Sequence, residues 1–389
     1  PSKFTFKFKR YADLILDTYL AINLPHIWSP LYPMENSDAD KNPYYIPYEF
    51  RWIKHLGTQM IQSIEVNVGG QTLQKYSGDY LTAMIERDFT ETKKELINRM
   101  TGNIAELNDP ANAFNRQGRY PNATPNTSTQ GSEPSIRGRT LYIPLNAWFN
   151  LNTKQAFPLV SLQYNELTVT VTLRPVSELF QIRDVENIEQ NFPFKAPNFN
   201  ERQEILSIFL QTPPPPKNPL KTPTEFTNWY FKTNLSTWNA DIHMISTYVF
   251  LSDNERRVFA EKPQQYLISE IQETTFESQS VNGRLELNSI GLVGSWMWFA
   301  RRDDAYMRNE WTNFTNWDYD GVMPNPSFIP PKHDPNYNLS LHEPDISQPE
   351  EYTAPNIQFL SKKVTKDGMK NIKPVFREQG GENVDNADG

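Results

Sequence analysis

The sequence predicts a two-domain, all-β protein of antiparallel sheets with short inserted helices and long loops. At 389 residues the chain is longer than one ordinary domain and long enough to bury two cores. Aromatic residues make up 13% of it, and 31 prolines stand against 16 glycines, a composition that favours strands joined by proline-stiffened loops. Apolar and polar residues alternate in several segments, which is the periodicity of strands with one solvated face.

The first half begins with two segments of strand periodicity. In FTFKFKR the three phenylalanines point to one side, and LILDTYLAINLP repeats the pattern from Leu14 onward. A loop rich in proline and tyrosine follows at residues 25–50. MIQSIEVNVGGQTLQKY then predicts a β-hairpin, because Gly69 and Gly70 stand where a tight turn needs positive φ angles.

Helices are predicted to be the minority element. Ser77 is placed to cap a helix in SGDYLTAMIERDF, and Thr92 with Glu95 forms the pattern of a capping box for a second helix. We expect both helices to be insertions between strands. From residue 101 to 139 the chain turns to Asn, Pro, Gly, Ser and Thr, which predicts a long exposed loop.

The most regular stretch reads IPLNAWFNLNTKQAFPLVSLQYNELTVTVTL, from Ile143 to Leu173. Its last part alternates threonine with leucine and valine, as an antiparallel strand over a core should. The large apolar side chains before that strand are predicted to line the same interior, at the turn between two strands. The predicted structural core residues are Trp148, Phe149, Phe157, Leu159, Val169 and Val171.

A proline-rich connector is predicted at residues 212–224, where a run of four prolines excludes helix and favours stiff, extended chain. The connector divides the chain into a first domain at 1–224 and a second at 225–389. In the second domain DIHMISTYVFLSD, YLISEIQETTFE and RLELNSIGLVGSWMWFARR have strand character. A weak similarity between residues 17–20 and 246–249 agrees with two domains of one architecture.

Composition and motifs exclude several kinds of chemistry. The chain has no cysteine, so disulfides, thiolate metal sites and a cysteine nucleophile are excluded. No phosphate-binding loop, dinucleotide fingerprint or nucleophile elbow occurs, and we expect no cofactor. The five histidines lack metal-ligand spacing and are predicted to be structural or surface residues: His26, His55, His243, His333 and His342.

Charge and hydropathy argue against nucleic acid and membrane as direct partners. The formal net charge is −8, whereas binding to phosphates needs clustered lysine and arginine. The longest apolar stretch, Ile290–Ala300, is too short to cross a bilayer, and no charged and then apolar leader opens the chain. We therefore expect no transmembrane segment.

Two chemical roles stay open on the residues alone. A glycosidase needs only two carboxylates brought together by the fold, and Glu166, Asp303 and Asp304 are candidates, although we expect the last two to pair with neighbouring arginines. The loop Trp311–Gly321 crowds aromatic residues among polar ones; such clusters bind sugar faces or anchor subunit contacts, or simply pack. Candidate N-glycosylation sequons occur at Asn122, Asn126, Asn234, Asn313 and Asn338.

Four segments carry a resemblance to a known family. They are RYADLILDTYLAINLPHIWSP, MIQSIEVNVGGQTLQKYSGDYL, GRTLYIPLNAWFNLNTKQAFPLVSLQYNELTVTVTLRPVSELF and FLSDNERRVFAEKPQQYLISEIQ. They resemble the major capsid proteins of nucleocytoplasmic large double-stranded DNA viruses, most of all the mimivirus-like branch. The resemblance covers roughly residues 1–300 and is most specific from Ile143 to Leu173.

The resemblance implies two consecutive antiparallel jelly-roll domains, the second incomplete at its C-terminus. It also implies a structural protein, not an enzyme, that forms homotrimeric, pseudo-hexagonal capsomers tiling an icosahedral shell. The implied partners are further copies of the chain, neighbouring capsomers, minor capsid proteins, the inner membrane of the virion indirectly, and glycans, with no direct contact to nucleic acid. The implied location is the virion, after assembly in the host cytoplasm.

Two other functions remain open beside this one. The first is a jelly-roll carbohydrate-binding or virion-attachment protein, which would use the aromatic loops as sugar platforms. The second, with less support from the residues, is a glycoside hydrolase, in which one carboxylate change would abolish turnover.

Overall fold

The computed structural model describes residues 1–34, 44–123, 132–162, 164–186, 193–201, 204–214, 220–231, 238–277, 284–287 and 291–314. The strands in these ranges are β1 (Ser2–Phe8), β2 (Leu14–Asn23), β3 (Leu31–Met34), β4 (Tyr44–Pro47), β5 (Phe50–Trp52), β6 (Ile61–Val68), β7 (Gln71–Tyr76), β8 (Thr140–Pro144), β9 (Phe157–Pro158), β10 (Leu167–Leu173), β11 (Phe180–Arg183), β12 (Phe194–Lys195) and β13 (His243–Val249). The helices are α1 (Leu56–Gln59), α2 (Gly78–Asp88), α3 (Glu91–Thr101), α4 (Ala105–Asn108), α5 (Trp148–Leu151), α6 (Pro223–Phe231) and α7 (Asp253–Glu261).

Sheet A has the strand order β1-β10-β6-β7, and all its pairs are antiparallel. The first strand of the chain lies against the tenth, with Phe4 opposite Val171 and Phe6 opposite Val169. On the other side of β10, Val169 lies opposite Val66. Since side chains alternate between the two faces of a strand, these apolar residues share one face and turn it toward the core.

Sheet B has the order β13-β2-β8, with the short strand β9 also paired to β2. The inward side chains of its strands, such as Leu20 on β2 and Ile143 on β8, are fully buried. They belong to the same hydrophobic core as the apolar face of sheet A. The coarse fold is therefore an antiparallel β-sandwich, to which two smaller sheets, β12-β11-β5 and β3-β4, are added.

The β-hairpin and the first helix are confirmed. Strands β6 and β7 are antiparallel neighbours, and Gly69 and Gly70 between them have φ angles of 58° and 86°. Ser77 is the N-cap of α2, and its hydroxyl accepts a hydrogen bond from the backbone N–H of Tyr80 at 3.2 Å. Helices α2 and α3 lie between β7 and β8 in the chain, as insertions between strands.

The predicted cap of the second helix is wrong. Helix α3 begins at Glu91 with Thr90 as its N-cap, so Thr92 lies inside the helix. The carbonyl oxygen of Thr90 accepts the first hydrogen bond of the helix, from the backbone N–H of Lys94 at 2.8 Å. The helix thus begins two residues earlier than it would with Thr92 as its N-cap, and the side chain of Thr92 is not placed to cap it.

The predicted exposed loop at residues 101–139 is wrong over much of its described part. It contains helix α4, and several of its apolar side chains, including Leu107, are buried, although Phe114 is exposed. Tyr120 is also buried and donates a hydrogen bond to the carbonyl oxygen of Phe50 at 2.7 Å. A few anchoring side chains fix this segment to the core despite its turn-forming composition; its residues 124–131 lie outside the described part.

The strand predictions for the second half are confirmed only for the first segment, which contains β13. The described residues of YLISEIQETTFE and RLELNSIGLVGSWMWFARR form no strand, and those two predictions are wrong there. A strand needs a hydrogen-bonded neighbour, and these residues have no ladder partner among the described strands. Some of their apolar side chains are left in solvent, with Leu267 90% and Trp298 89% exposed, whereas Ile268 and Ile271 pack against the core.

Residues on both sides of the predicted domain boundary at residue 224 pack against the sandwich. Helix α6 begins at Pro223, inside the predicted connector, which is compatible with proline because a first-turn N–H has no helical partner. Phe226 and Tyr230 of α6 are buried, and the Phe226 ring lies 5.0 Å from that of Tyr32. Connector residues 215–219 lie outside the described part, and the two-domain division stays a prediction.

Candidate functional site

The aromatic part of the predicted core forms one cluster at the end of sheet B. Helix α5 supplies Trp148 and Phe149, and β9 supplies Phe157, which lies opposite Ile15 of β2. The three rings meet edge to face, with centroid separations of 5.1 to 6.2 Å. All three are buried, as is Leu159 just after β9, so this stretch belongs to the interior.

The two predicted core valines lie in the other sheet. Val169 and Val171 of β10 are fully buried between the apolar residues of β1 and β6. All six residues expected to be structural are thus in one hydrophobic core, divided between two facing sets of strands. Sequence adjacency did not indicate this division, because strand β10 follows the aromatic cluster in the chain but pairs in sheet A.

A buried tyrosine links the edge of sheet A to the turn that follows β8. The hydroxyl of Tyr76 donates to the carbonyl oxygen of Leu145 at 2.7 Å, and burial raises the pKa of this phenol well above its ordinary value. Nearby, the side-chain oxygen of Gln74 accepts from the backbone N–H of Trp148 at 3.3 Å. These bonds satisfy polar groups that would otherwise be buried unpaired, and they fix the aromatic cluster against β7.

Sequence reasoning missed a buried ion pair at the three-stranded sheet. A guanidinium N–H of Arg183 donates to Oε2 of Glu49 at 2.8 Å, and both side chains are almost fully buried. Burial raises the pKa of the Glu49 carboxyl although the neighbouring arginine opposes the shift. The guanidinium groups of Arg51 and Arg183 lie 3.8 and 5.0 Å from the ring centroid of Phe194. The only signal in the sequence was that Glu49 and Arg183 stand next to apolar residues, in YEFRW and FQIR.

Two of the three carboxylates considered for hydrolysis, Glu166 and Asp304, are held in ion pairs. Glu166 is exposed and pairs with Lys7 at 3.0 Å, and Asp304 pairs with Arg302 at 2.5 Å, as expected from its neighbours. Hydrogen bonds from Arg302 hold the pKa of Asp304 below its ordinary value. Asp303 begins the same turn. Glu166 and Asp304 thus each pair with a cation of their own, an arrangement typical of a solvated surface.

The three described histidines lie apart from one another, on different parts of the sandwich. His26 accepts a hydrogen bond from the backbone N–H of Gly138, and burial lowers the pKa of His55. His243 lies on β13 beside Asp241, while His333 and His342 fall outside the described residues. Within the described ranges, no three histidine or acidic side chains come together as metal ligands, and no helix is long and apolar enough to span a membrane.

The described part of the aromatic loop is packed against the sandwich. The indole N–H of Trp311 donates to the carbonyl oxygen of Glu178 at 2.8 Å. The guanidinium groups of Arg174 and Arg301 lie 4.9 and 5.8 Å from the Trp311 ring. These contacts occupy the ring that a sugar would need, whereas Phe314 is partly exposed. Residues 315–321 of the loop lie outside the described part.

The asparagines of two of the five sequons, Asn122 and Asn313, lie in described residues. Asn122 is half-buried, and no described hydrogen bond reaches its buried side-chain oxygen. The Nδ2 atom of Asn313, the atom that would carry a glycan, donates to Glu310 at 2.9 Å. Asn126, Asn234 and Asn338 lie outside the described residues.

The fold and its aromatic core define an antiparallel β-sandwich protein of structural type. Residues 2–198, half of the chain, match the family model described as the major capsid protein N-terminus. The chain therefore belongs to the family of viral major capsid proteins.

Relatives named as capsid proteins match most of this chain. A major capsid protein of Chrysochromulina ericina virus is 26% identical over 312 residues, which is 76% of this chain and 47% of that protein. The major capsid protein of Phaeocystis pouchetii virus is 26% identical over 309 residues, again 76% of this chain and 47% of that protein. Probable capsid protein 4 of Acanthamoeba polyphaga mimivirus is 23% identical, covering 71% of this chain and 58% of that protein. The chain thus spans about half the length of the first two relatives.

Solved capsid structures overlap the fold only in part. PBCV-1 VP54, fitted into a reconstruction of the virophage Sputnik, aligns with a TM-score of 0.37 and 18% identity over 70% of this chain and 43% of that one. The Faustovirus major capsid protein aligns with a TM-score of 0.34 and 13% identity, over 47% of this chain and 41% of that one. Membership of the family therefore rests on the sequence match over residues 2–198.

Proposed function

We propose that this chain is part of a structural major capsid protein that forms homotrimeric, pseudo-hexagonal capsomers tiling the icosahedral shell of a large DNA virus. The observation that carries the proposal is the family match over residues 2–198, which coincides with the antiparallel sandwich. The capsid relatives, whose similarity extends over about three quarters of the chain, support it.

The physical construction of the sandwich suits a rigid tile. A shell subunit must keep its shape without a ligand, and closely packed aromatic and β-branched side chains resist deformation. The edge-to-face rings of Trp148, Phe149 and Phe157 and the valines of β10 supply such packing in both sheets. Enzymatic activity is no part of this proposal, since the candidate carboxylates Glu166 and Asp304 are engaged with cations.

The proposed protein has two consecutive jelly rolls, of which the described sandwich is the first. Its partners are two further copies in the capsomer, neighbouring capsomers and minor capsid proteins, with the inner membrane reached indirectly. It acts in the virion after assembly in the host cytoplasm. Large interfaces made by loops and strand edges are expected, because a closed three-fold ring needs two complementary surfaces on each subunit.

Analytical ultracentrifugation of the protein that carries this chain tests the proposal. We expect a sedimenting species of three times the subunit mass at micromolar concentration, and electron micrographs of that species should show a pseudo-hexagonal outline. The variant Leu151→Ala, which changes an exposed residue of α5, serves as a folded control and should sediment identically. A stable monomer at micromolar concentration would overturn the proposal.

A further inference from the structure

Residues 238–262, here called the clasp, lie on the edge of the sandwich after the predicted connector. The clasp consists of β13 and α7 with their flanking residues. Strand β13 forms an antiparallel ladder with β2, from His243 opposite Ala21 to Val249 opposite Leu14. Ladder hydrogen bonds are therefore its main attachment to sheet B.

The clasp contributes little to the hydrophobic core. Every residue of β13 is exposed or half-buried, and α7 contains no buried residue. Strand β8, on the other side of β2, is different, because its Leu141 and Ile143 are fully buried. Segments with few buried apolar contacts open at a lower free energy than the core to which they are attached. The two strands that flank β2 are thus expected to differ strongly in stability.

One buried carboxylate holds the clasp at its turn between β13 and α7. Asp13, only 7% exposed, accepts hydrogen bonds from the backbone N–H of Leu251 at 2.8 Å and from two nitrogens of Arg256 at 3.0 and 3.1 Å. The backbone N–H of Asp13 donates to the carbonyl oxygen of Val249 at 3.1 Å. All described hydrogen bonds to the Asp13 carboxylate come from the clasp.

The hydrogen bonding of Asp13 therefore depends on whether the clasp is closed. When the clasp detaches, the Asp13 carboxylate loses its described hydrogen-bond donors at the same time. Water at the exposed edge of β2 must then replace them. When Asp13 is protonated, one of its oxygens becomes a donor, and the guanidinium of Arg256 loses the negative charge that it faces. Hydrogen bonds from Arg256 also hold the pKa of Asp13 below its ordinary value, which agrees with a carboxylate that is charged in the closed state.

We propose that the clasp opens from sheet B as a unit of its own while the core stays folded, and that Asp13 is the positioning residue that keeps it closed. Opening would free the edge of β2, while described residues after the clasp keep their own contacts with the sandwich, such as the hydrogen bond from the Tyr266 hydroxyl to the carbonyl oxygen of Ala156. This inference does not depend on the capsid role, because it concerns a single copy.

Hydrogen exchange on the protein, followed by mass spectrometry of peptides, tests the proposal. In the unchanged protein, amides of residues 243–251 are expected to exchange faster than those of β10. Asp13→Asn keeps the size of the side chain and removes its charge, and we expect it to speed exchange in the clasp about tenfold or more, the ratio that corresponds to about 1.4 kcal/mol. Because global unfolding also opens the clasp, amides of β10 that exchange through global unfolding should speed by the same factor, and the difference between the two regions should remain.

Two further variants keep the test decisive. Arg256→Gln acts from the exposed side of the contact, and it should speed clasp exchange in the same direction even if Asp13→Asn fails to fold. Glu166→Gln removes the exposed ion pair with Lys7 and should leave clasp exchange unchanged. The proposal is overturned if the clasp exchanges as slowly as β10 in the unchanged protein, or if an anchor variant leaves clasp exchange unchanged. Sedimentation of the same samples reports separately on the proposed trimer.

Discussion

The aromatic cluster at the end of sheet B permits a quantitative test by replacing Phe149 with alanine. Phe149 is 0% exposed, and its ring meets those of Trp148 and Phe157 edge to face at 5.1 and 6.1 Å. Removing a buried benzyl group costs about 3–5 kcal/mol, from lost transfer free energy and the cavity left behind. Because each aromatic pair adds about 0.5–1.5 kcal/mol, we expect the upper part of that range, about 4–5 kcal/mol.

Urea denaturation followed by tryptophan fluorescence measures this loss. With a slope of about 3 kcal/mol per molar urea for a large domain, the unfolding midpoint should fall by about 1.5 M. Leu151→Ala is the matched control, since Leu151 lies in the same helix but is 55% exposed, and its midpoint should move by less than about 0.2 M. A shift below about 0.3 M for Phe149→Ala would refute the conclusion that the cluster is close-packed.

Three further predictions concern polar burial, steric fit and pH. Glu49→Ala leaves Arg183 buried without its carboxylate and should lower the free energy of unfolding by about 3–5 kcal/mol, whereas Glu49→Leu combined with Arg183→Met should recover most of that loss in urea titrations. Gly78→Ala should destabilise by about 1–3 kcal/mol despite the better helix propensity of alanine, because the added Cβ would overlap the carbonyl oxygen of Thr58; a raised melting temperature would contradict this. Asp13 has a folded pKa below the ordinary 3.8, so its contribution is complete above about pH 4 and is lost as the pH falls further; the acid-induced fall in stability should be smaller in Asp13→Asn.

Local patterns in the sequence determined the elements that depend on neighbouring residues. Gly69 and Gly70 predicted the hairpin because positive φ is a property of the residue and its turn, and Ser77 predicted the start of α2 because a cap bonds the next turn of the same helix. The alternation in LTVTVTL predicted which side of β10 faces the core, since Val169 and Val171 are two residues apart.

Only the tertiary structure decided what each element pairs with. Strand β13 joins β2 from more than 200 residues away, and Glu49 meets Arg183 across 134 positions, distances at which periodicity carries no information. The strand-like segments after residue 265 show the same limit. An alternating pattern favours a strand but cannot supply a hydrogen-bonding neighbour, and the described residues there pair with no strand. The sequence by itself thus determined the class of structure, the turns and the apolar faces, which arise from interactions within a few residues. Packing of the folded chain determined the partners, since a pair of distant residues forms only when both backbones have already been brought to one place.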